Sequence, residues 1–222
     1  MGSLHAGRRM RATAIAVLAL IVVPVALAVE KQPRRLNAAD QAAAKAATLK
    51  LSDFVAGTGW KGGAVKPDLT SDSKCVSKIS DLVITGDAKS EFNAAAAAMR
   101  ITSETEVLES AAMVTADWQR TVGNAAFMAC TRKEYSQLET GFKLISFTKL
   151  AFPKLTRYAA RYRVLADVDT QDGQLRVLVD LILLGQGRNE TTLVLSAPYV
   201  AHAAVDAAER RLAQTLVSRM RA

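Results

Sequence analysis

Histidine and cysteine are nearly missing from this chain, with two of each in 222 residues. His5 falls in the leading segment, which leaves His202 as the one histidine of the remainder. Zinc sites draw their ligands mainly from Cys and His, and Ser-His-Asp or Cys-His catalysis needs a histidine beside a nucleophile. His202 stands at the start of a predicted last helix with no nucleophile-elbow motif around it. No catalytic residue, metal ligand or cofactor is therefore expected. Phosphate loops are missing as well. Gly57-Thr58-Gly59 and Gly185-Gln186-Gly187 are fragments without the strand-to-helix context such loops need, and they read as turns. Long apolar runs are reduced to one, Ala12 to Val29, and no acid precedes Glu30.

That single run has the parts of a secretory leader: basic Arg8, Arg9 and Arg11 before it, and small residues at Ala26-Leu27-Ala28 closing it. Residues 1–28 are read as a signal peptide cleaved before Val29. The alternative is an uncleaved anchor, since 18 uncharged residues span about 27 Å as a helix, at the lower limit for a bilayer core. Pro24 and the small residues favour cleavage. Val29 stands where a lipoprotein has its cysteine, which argues against lipid anchoring. Losing three arginines and no acid lowers the formal net charge from +8 to +5, so nucleic acid is not an expected partner. Roughly 190 residues remain, enough for one domain with a sizeable core.

In an exported chain the two cysteines, Cys75 and Cys130, are expected to form one disulfide. It closes a loop of about 56 residues, a constraint worth roughly 4 kcal/mol in the chain-entropy model.

Residues 29–36 read as a flexible tether, and residues 37–222 as a single domain. Asn37 suits the cap of a helix over 38–49. Four glycines and Pro67 punctuate a loop around Trp60, which is either a hydrophobic plug at a core edge or part of a ligand mouth, the plug being favoured. Leu82-Val83-Ile84 before Gly86 is a short strand candidate. Period-two alternation marks a strand from Met99 to Leu108. Ala94–Ala98 is undecided between helix and strand. Helical spacing follows over 110–121 and 125–138, then strands over 142–150, 157–168, 175–184 and 191–195, joined by short turns that imply antiparallel pairing. A last helix from His202 to Met220 places Val205, Ala208, Leu212, Leu216 and Met220 on one stripe, with Asp206 set to support Arg210. The fold class is α+β: a twisted antiparallel sheet with helices packed mainly on one face, and one disulfide.

Arg157, Arg161 and Arg163, with Arg176 on the next strand, are a candidate anion patch, for an acidic envelope component or a phospholipid head group. A plain solvated face is the favoured alternative. Glu104 and Glu106 project from the polar side of a strand and read as hydrated.

Leu49-Lys50-Leu51-Ser52-Asp53-Phe54 leading to Gly59-Trp60, Thr85 to Phe92, Ser103 to Ser110, Cys130 and Gly187-Arg188 together carry a resemblance. On these the chain resembles actinobacterial exported proteins and lipoproteins with PsbP-like folds, and is similar to the extracellular sensor domains of some bacterial serine/threonine kinases. The resemblance implies an antiparallel sheet flanked by helices and a binding or sensing role in the cell envelope without catalysis. The chain departs from the lipoproteins in lacking their lipidated cysteine and from the kinases in lacking a kinase region. The expected function is thus a secreted or extracytoplasmic non-catalytic binding protein, for an apolar or amphiphilic ligand or a partner protein. The alternative is a secreted hydrolase of envelope material, which an exposed His202 would count against.

Overall fold

A computed structural model of the chain describes residues 33–67, 75, 81–137 and 141–221. The expected leader, and the link as far as residue 32, lie outside these residues.

Asn37 caps the first helix, α1 (Ala38–Ala47), its side-chain oxygen accepting from the Asp40 amide at 2.9 Å. A first meander follows: β1 (Trp60–Val65), β2 (Ile84–Ala94) and β3 (Met99–Leu108). Ser110 and Asn124 then cap α2 (Ala111–Arg120) and α3 (Ala125–Ser136) by accepting from the amides of Met113 and Ala126. A second meander contains β4 (Phe142–Leu150), β5 (Tyr158–Thr170), β6 (Gly173–Gln186) and β7 (Asn189–Pro198), and α4 (His202–Met220) closes the described chain. The seven described strands make one antiparallel sheet in the order β1-β2-β3-β7-β6-β5-β4. Its two meanders join where β3 pairs with β7. β6, apolar on both sides in the sequence, is interior to the sheet and buried from Val177 to Gly185.

Alternation along the strands sorts the core into two layers. Leu178, Ile182, Leu184, Leu193 and Leu195 pack with Val205, Leu212 and Leu216 of α4, while α1 lies on β2 and β3 of the same face through Ala44, Ala88 and Val107. The intervening residues, among them Tyr162, Val164, Val179 and Leu181, pack with Trp118 of α2, with Val122 in the link between α2 and α3, and with Tyr135 of α3. Helices therefore cover both faces, the α1–α4 layer carrying the larger core.

Three segments differ from the sequence reading. The glycine-rich stretch read as a loop forms β1, in register with β2 from Trp60↔Ala94 to Val65↔Lys89. Gly62 permits this approach: at φ 141° a Cβ there would lie 2.0 Å from the Glu91 carbonyl oxygen. β2 does not stop at Gly86, because that glycine is where α1 crosses the sheet, the Asp40 carbonyl oxygen lying 2.2 Å from where a Cβ would stand. Ala94–Ala98, undecided before, ends β2, makes a one-turn 3-10 helix and closes on Ala98 at φ 48°. At the described end of the link the Ile84 amide donates to the Pro33 carbonyl (3.0 Å), and the Arg35 amide to the Ile84 carbonyl (2.9 Å).

The expected disulfide is present. Cys75 and Cys130, with Cα atoms 5.4 Å apart, tie α3 to the segment before Leu82, and Leu82 packs on Phe127 beside them. No helix among the described residues is long and apolar enough to cross a membrane.

Candidate functional site

The residues singled out in the sequence fall in different places. Trp60 is half-buried and stacks on Phe54 (centroids 4.6 Å), which in turn contacts Phe92 at 4.7 Å. The three rings close one edge of the larger core, the geometry of the plug. A cavity of about 420 Å³ lies elsewhere, between α1, the β6–β7 turn and the end of α4, lined by Asp40, Val107, Arg188, Asn189 and Met220 among others. His202 is exposed, its ring stacked on Tyr199 and its Nδ1 facing the Tyr199 carbonyl oxygen at 3.2 Å.

The four arginines do not make a free anion patch. Arg157 lies over the Tyr158 ring, and Arg176 is paired to Asp167 at 2.8 Å. Arg161 and Arg163 point to the inner face, beneath α4, where side-chain exposures are 11% and 14%. Opposite Arg163 in register stands Asp180 of β6, fully buried. Arg163 donates to Asp180 through Nε (2.7 Å) and to Asp206 of α4 (2.6 Å). Arg161 donates to Asp180 (2.9 Å) and pairs with Glu209 (2.8 Å). Oxygens of Asp180, Asp206 and Glu209 converge within 4.8 Å, but two guanidiniums already occupy the position a metal ion would take. Asp206 thus faces the sheet and not Arg210. Strand alternation identifies which residues share a side, but both sides of this sheet are covered, so it could not mark Arg161 and Arg163 as inward.

The second polar constellation lies on the opposite face. Asp87 on β2, Glu106 on β3 and Glu190 on β7 stand in one cross-strand row, Asp87 opposite Glu106 and Glu106 opposite Glu190. In the next row Glu104 faces Lys89 at 3.3 Å, and Asp117 of α2 reaches the first row from above. Directly opposed side chains have Cβ atoms about 5 Å apart, where like charges repel. Arg34 pairs with Asp87 at 2.6 Å. Asp87 Oδ1 and Glu190 Oε1 are buried without a hydrogen-bond partner, and the Asp87 side chain is only 2% exposed. Burial, then the charges of Asp87 and Glu104, push the Glu106 carboxyl up to about 8. Burial raises Asp117 to about 6 and, with the neighbouring charges of Asp117 and Glu106, carries Glu190 well above the ordinary range. Protonated Glu190 donates to the Asp117 carboxylate. The sequence reading of Glu104 and Glu106 as hydrated carboxylates on β3 is corrected by their surroundings: both are half-buried, Glu104 is paired with Lys89 while burial raises its carboxyl, and Glu106 keeps its proton to about 8. Alternation exposed their common side, but their partners Asp87, Asp117 and Glu190 are distant in the chain and carried no signal.

No family model matches the chain, and no curated protein is similar to it. Among solved structures it is similar to PA94, a Pseudomonas aeruginosa protein of unknown function conjectured to be a regulator. The identity is 12%, over 52% of this chain and 71% of that one, with a TM-score of 0.32. A likeness of that degree carries no argument about this chain.

The disulfide points to folding in an oxidising compartment. The acidic row sets three carboxyl groups in register, and Asp87 Oδ1 and Glu190 Oε1 in it lack donors.

Proposed function

We propose that the protein is a non-catalytic binding protein of an oxidising, extracytoplasmic compartment, and that the row Asp87–Glu106–Glu190 receives a cationic group of its ligand. The observation that supports this reading is the pair of buried oxygens without partners, Asp87 Oδ1 and Glu190 Oε1, at the two ends of a cross-strand carboxylate row. Buried acceptors without donors are costly. An ammonium or guanidinium group supplies several donors and charge of the needed sign. The ligand class is an amphiphilic amine or a lysine- or arginine-bearing segment of a partner protein, in keeping with the envelope-binding role that the PsbP-like resemblance implies.

Titration calorimetry with spermidine and with a short arginine-containing peptide tests the proposal. Because the row is partly protonated near neutrality, a bound cation expels protons. Affinity is expected to rise from pH 6 to pH 8, with heats that depend on the buffer's ionisation enthalpy. Glu106→Gln is expected to weaken binding about tenfold, the effect of losing one charged partner. Equal affinity for both proteins, or no binding at any pH, overturns the assignment.

One observation favours a second reading, hydrolysis of envelope material. A carboxyl held neutral to about 8, Glu106, stands opposite Asp87, whose charge is paired with Arg34, which resembles the division of labour between a general acid and its partner carboxylate. Release of reducing sugar or free amine from purified envelope polymers, abolished in Glu106→Gln, would establish it. A histidine-dependent hydrolase is disfavoured by the exposed position of His202.

A further inference from the structure

α4 is held to the sheet by more than its apolar stripe. Beneath it lie two guanidiniums and three carboxylates: Arg161 and Arg163 from β5, Asp180 from β6, Asp206 and Glu209 from α4 itself. β7, the neighbouring strand under the helix, presents Leu193 and Leu195 and adds no charge. α1 meets the same layer through apolar Ala47. Asp180 is 0% and Glu209 1% exposed, so water screens these two carboxyls poorly, whereas the Asp206 side chain is 39% exposed. Two positive and three negative charges leave one carboxylate in excess. A single proton removes the excess.

Glu209 is the carboxyl placed to hold that proton. Glu209 Oε1 pairs with Arg161, whereas Oε2 is buried and accepts no hydrogen bond. Asp180 and Asp206 by contrast each accept from both arginines. Glu209 lies in side-chain hydrogen-bond contact with Asp180, so a protonated Glu209 has an acceptor for its O–H.

We propose that α4 is a proton-dependent latch: one proton on Glu209 balances the Arg161–Arg163–Asp180–Asp206 network, and its loss loosens α4 from β5 and β6. Burial, followed by the hydrogen bond with Asp180, raises the Glu209 carboxyl to about 8, which sets the transition just above neutrality. The latch is independent of the acidic row, which lies on the other face of the sheet.

Hydrogen exchange read by mass spectrometry tests it. The peptide 202–220 is compared with the β6 peptide 173–186 at pH 6 and pH 9, after correction for intrinsic exchange. In the wild type, protection of α4 relative to β6 is expected to fall at least tenfold between the two. Glu209→Gln, which keeps the shape and a donor toward Asp180 but cannot ionise, is expected to hold the same protection at both. A wild-type ratio that does not change with pH, or a Glu209→Gln protein that loses it as the wild type does, overturns the latch. Should Glu209→Gln fail to fold, carboxyl-carbon NMR of the wild type decides instead. A Glu209 titration in the ordinary carboxylate range overturns the proposal, and one above pH 7 supports it.

Discussion

Glu106 and Glu190 stand directly opposite each other in the β3–β7 pairing, and Glu106 is flanked on its other side by Asp87. Unfolded, such a glutamate gives up its proton near 4.5, whereas folded Glu106 keeps it to about 8. Between these values the native state binds more protons, so the contribution of this carboxyl to stability is fullest below about 4.5 and is lost as the pH rises to about 8. Each such proton contributes a slope of at most about 1.4 kcal/mol per pH unit, less for a half-exposed carboxyl. Guanidinium unfolding midpoints are expected to fall steadily from pH 5 through pH 8, with a shallower fall in Glu106→Gln. A midpoint that rises over this range contradicts the assignment.

Arg163 grips Asp180 through two nitrogens beneath α4. Arg163→Gln leaves a fully buried carboxylate short of its counter-charge, and the expected loss is about 3–5 kcal/mol, read as a lowered unfolding midpoint. Retention on anionic liposomes is expected to be unchanged, since this guanidinium is turned inward. Reduced retention in a variant that is still folded would restore the anion patch.

Gly86 lies under the first turn of α1, in contact with the Asp40 carbonyl. Gly86→Ala must push backbone against backbone, because no flexible side chain tip is there to yield. A loss of about 1–3 kcal/mol is expected, with a drop in helical circular dichroism if α1 detaches. Wild-type stability in this variant would show that the crossing is looser than described.

Trp60 stacks on Phe54 at the edge of the core and takes no part in the acidic row. Trp60→Ala is expected to cost about 2–4 kcal/mol by opening that edge, while spermidine affinity stays within twofold of wild type. Lost affinity with intact stability would return Trp60 to a ligand mouth.

Much of the fold could be read from the residues in order. Tyr158 to Val168 alternates cleanly and forms β5; Val205, Leu212 and Leu216 recur at helical spacing and face the core of α4. β1 was not legible, because Lys61, Gly62, Gly63 and Ala64 have neither pattern nor propensity and owe their extended form to β2. The arginines were legible as a group but not by side. Alternation separates two faces, yet with helices on both it cannot say which is wet.

By itself the sequence determined most of the elements, β1 excepted, with the antiparallel turns and the one disulfide, because local spacing sets helix and strand, and two cysteines allow one pairing. The tertiary structure alone decided which charges meet. Asp87, Glu106 and Glu190 share a row only through the register of three strands, including the irregularity between Ile84 and Gly86. A slip of one residue would turn every side chain to the opposite face. Register is fixed by packing across the whole sheet, which no single stretch of the chain contains.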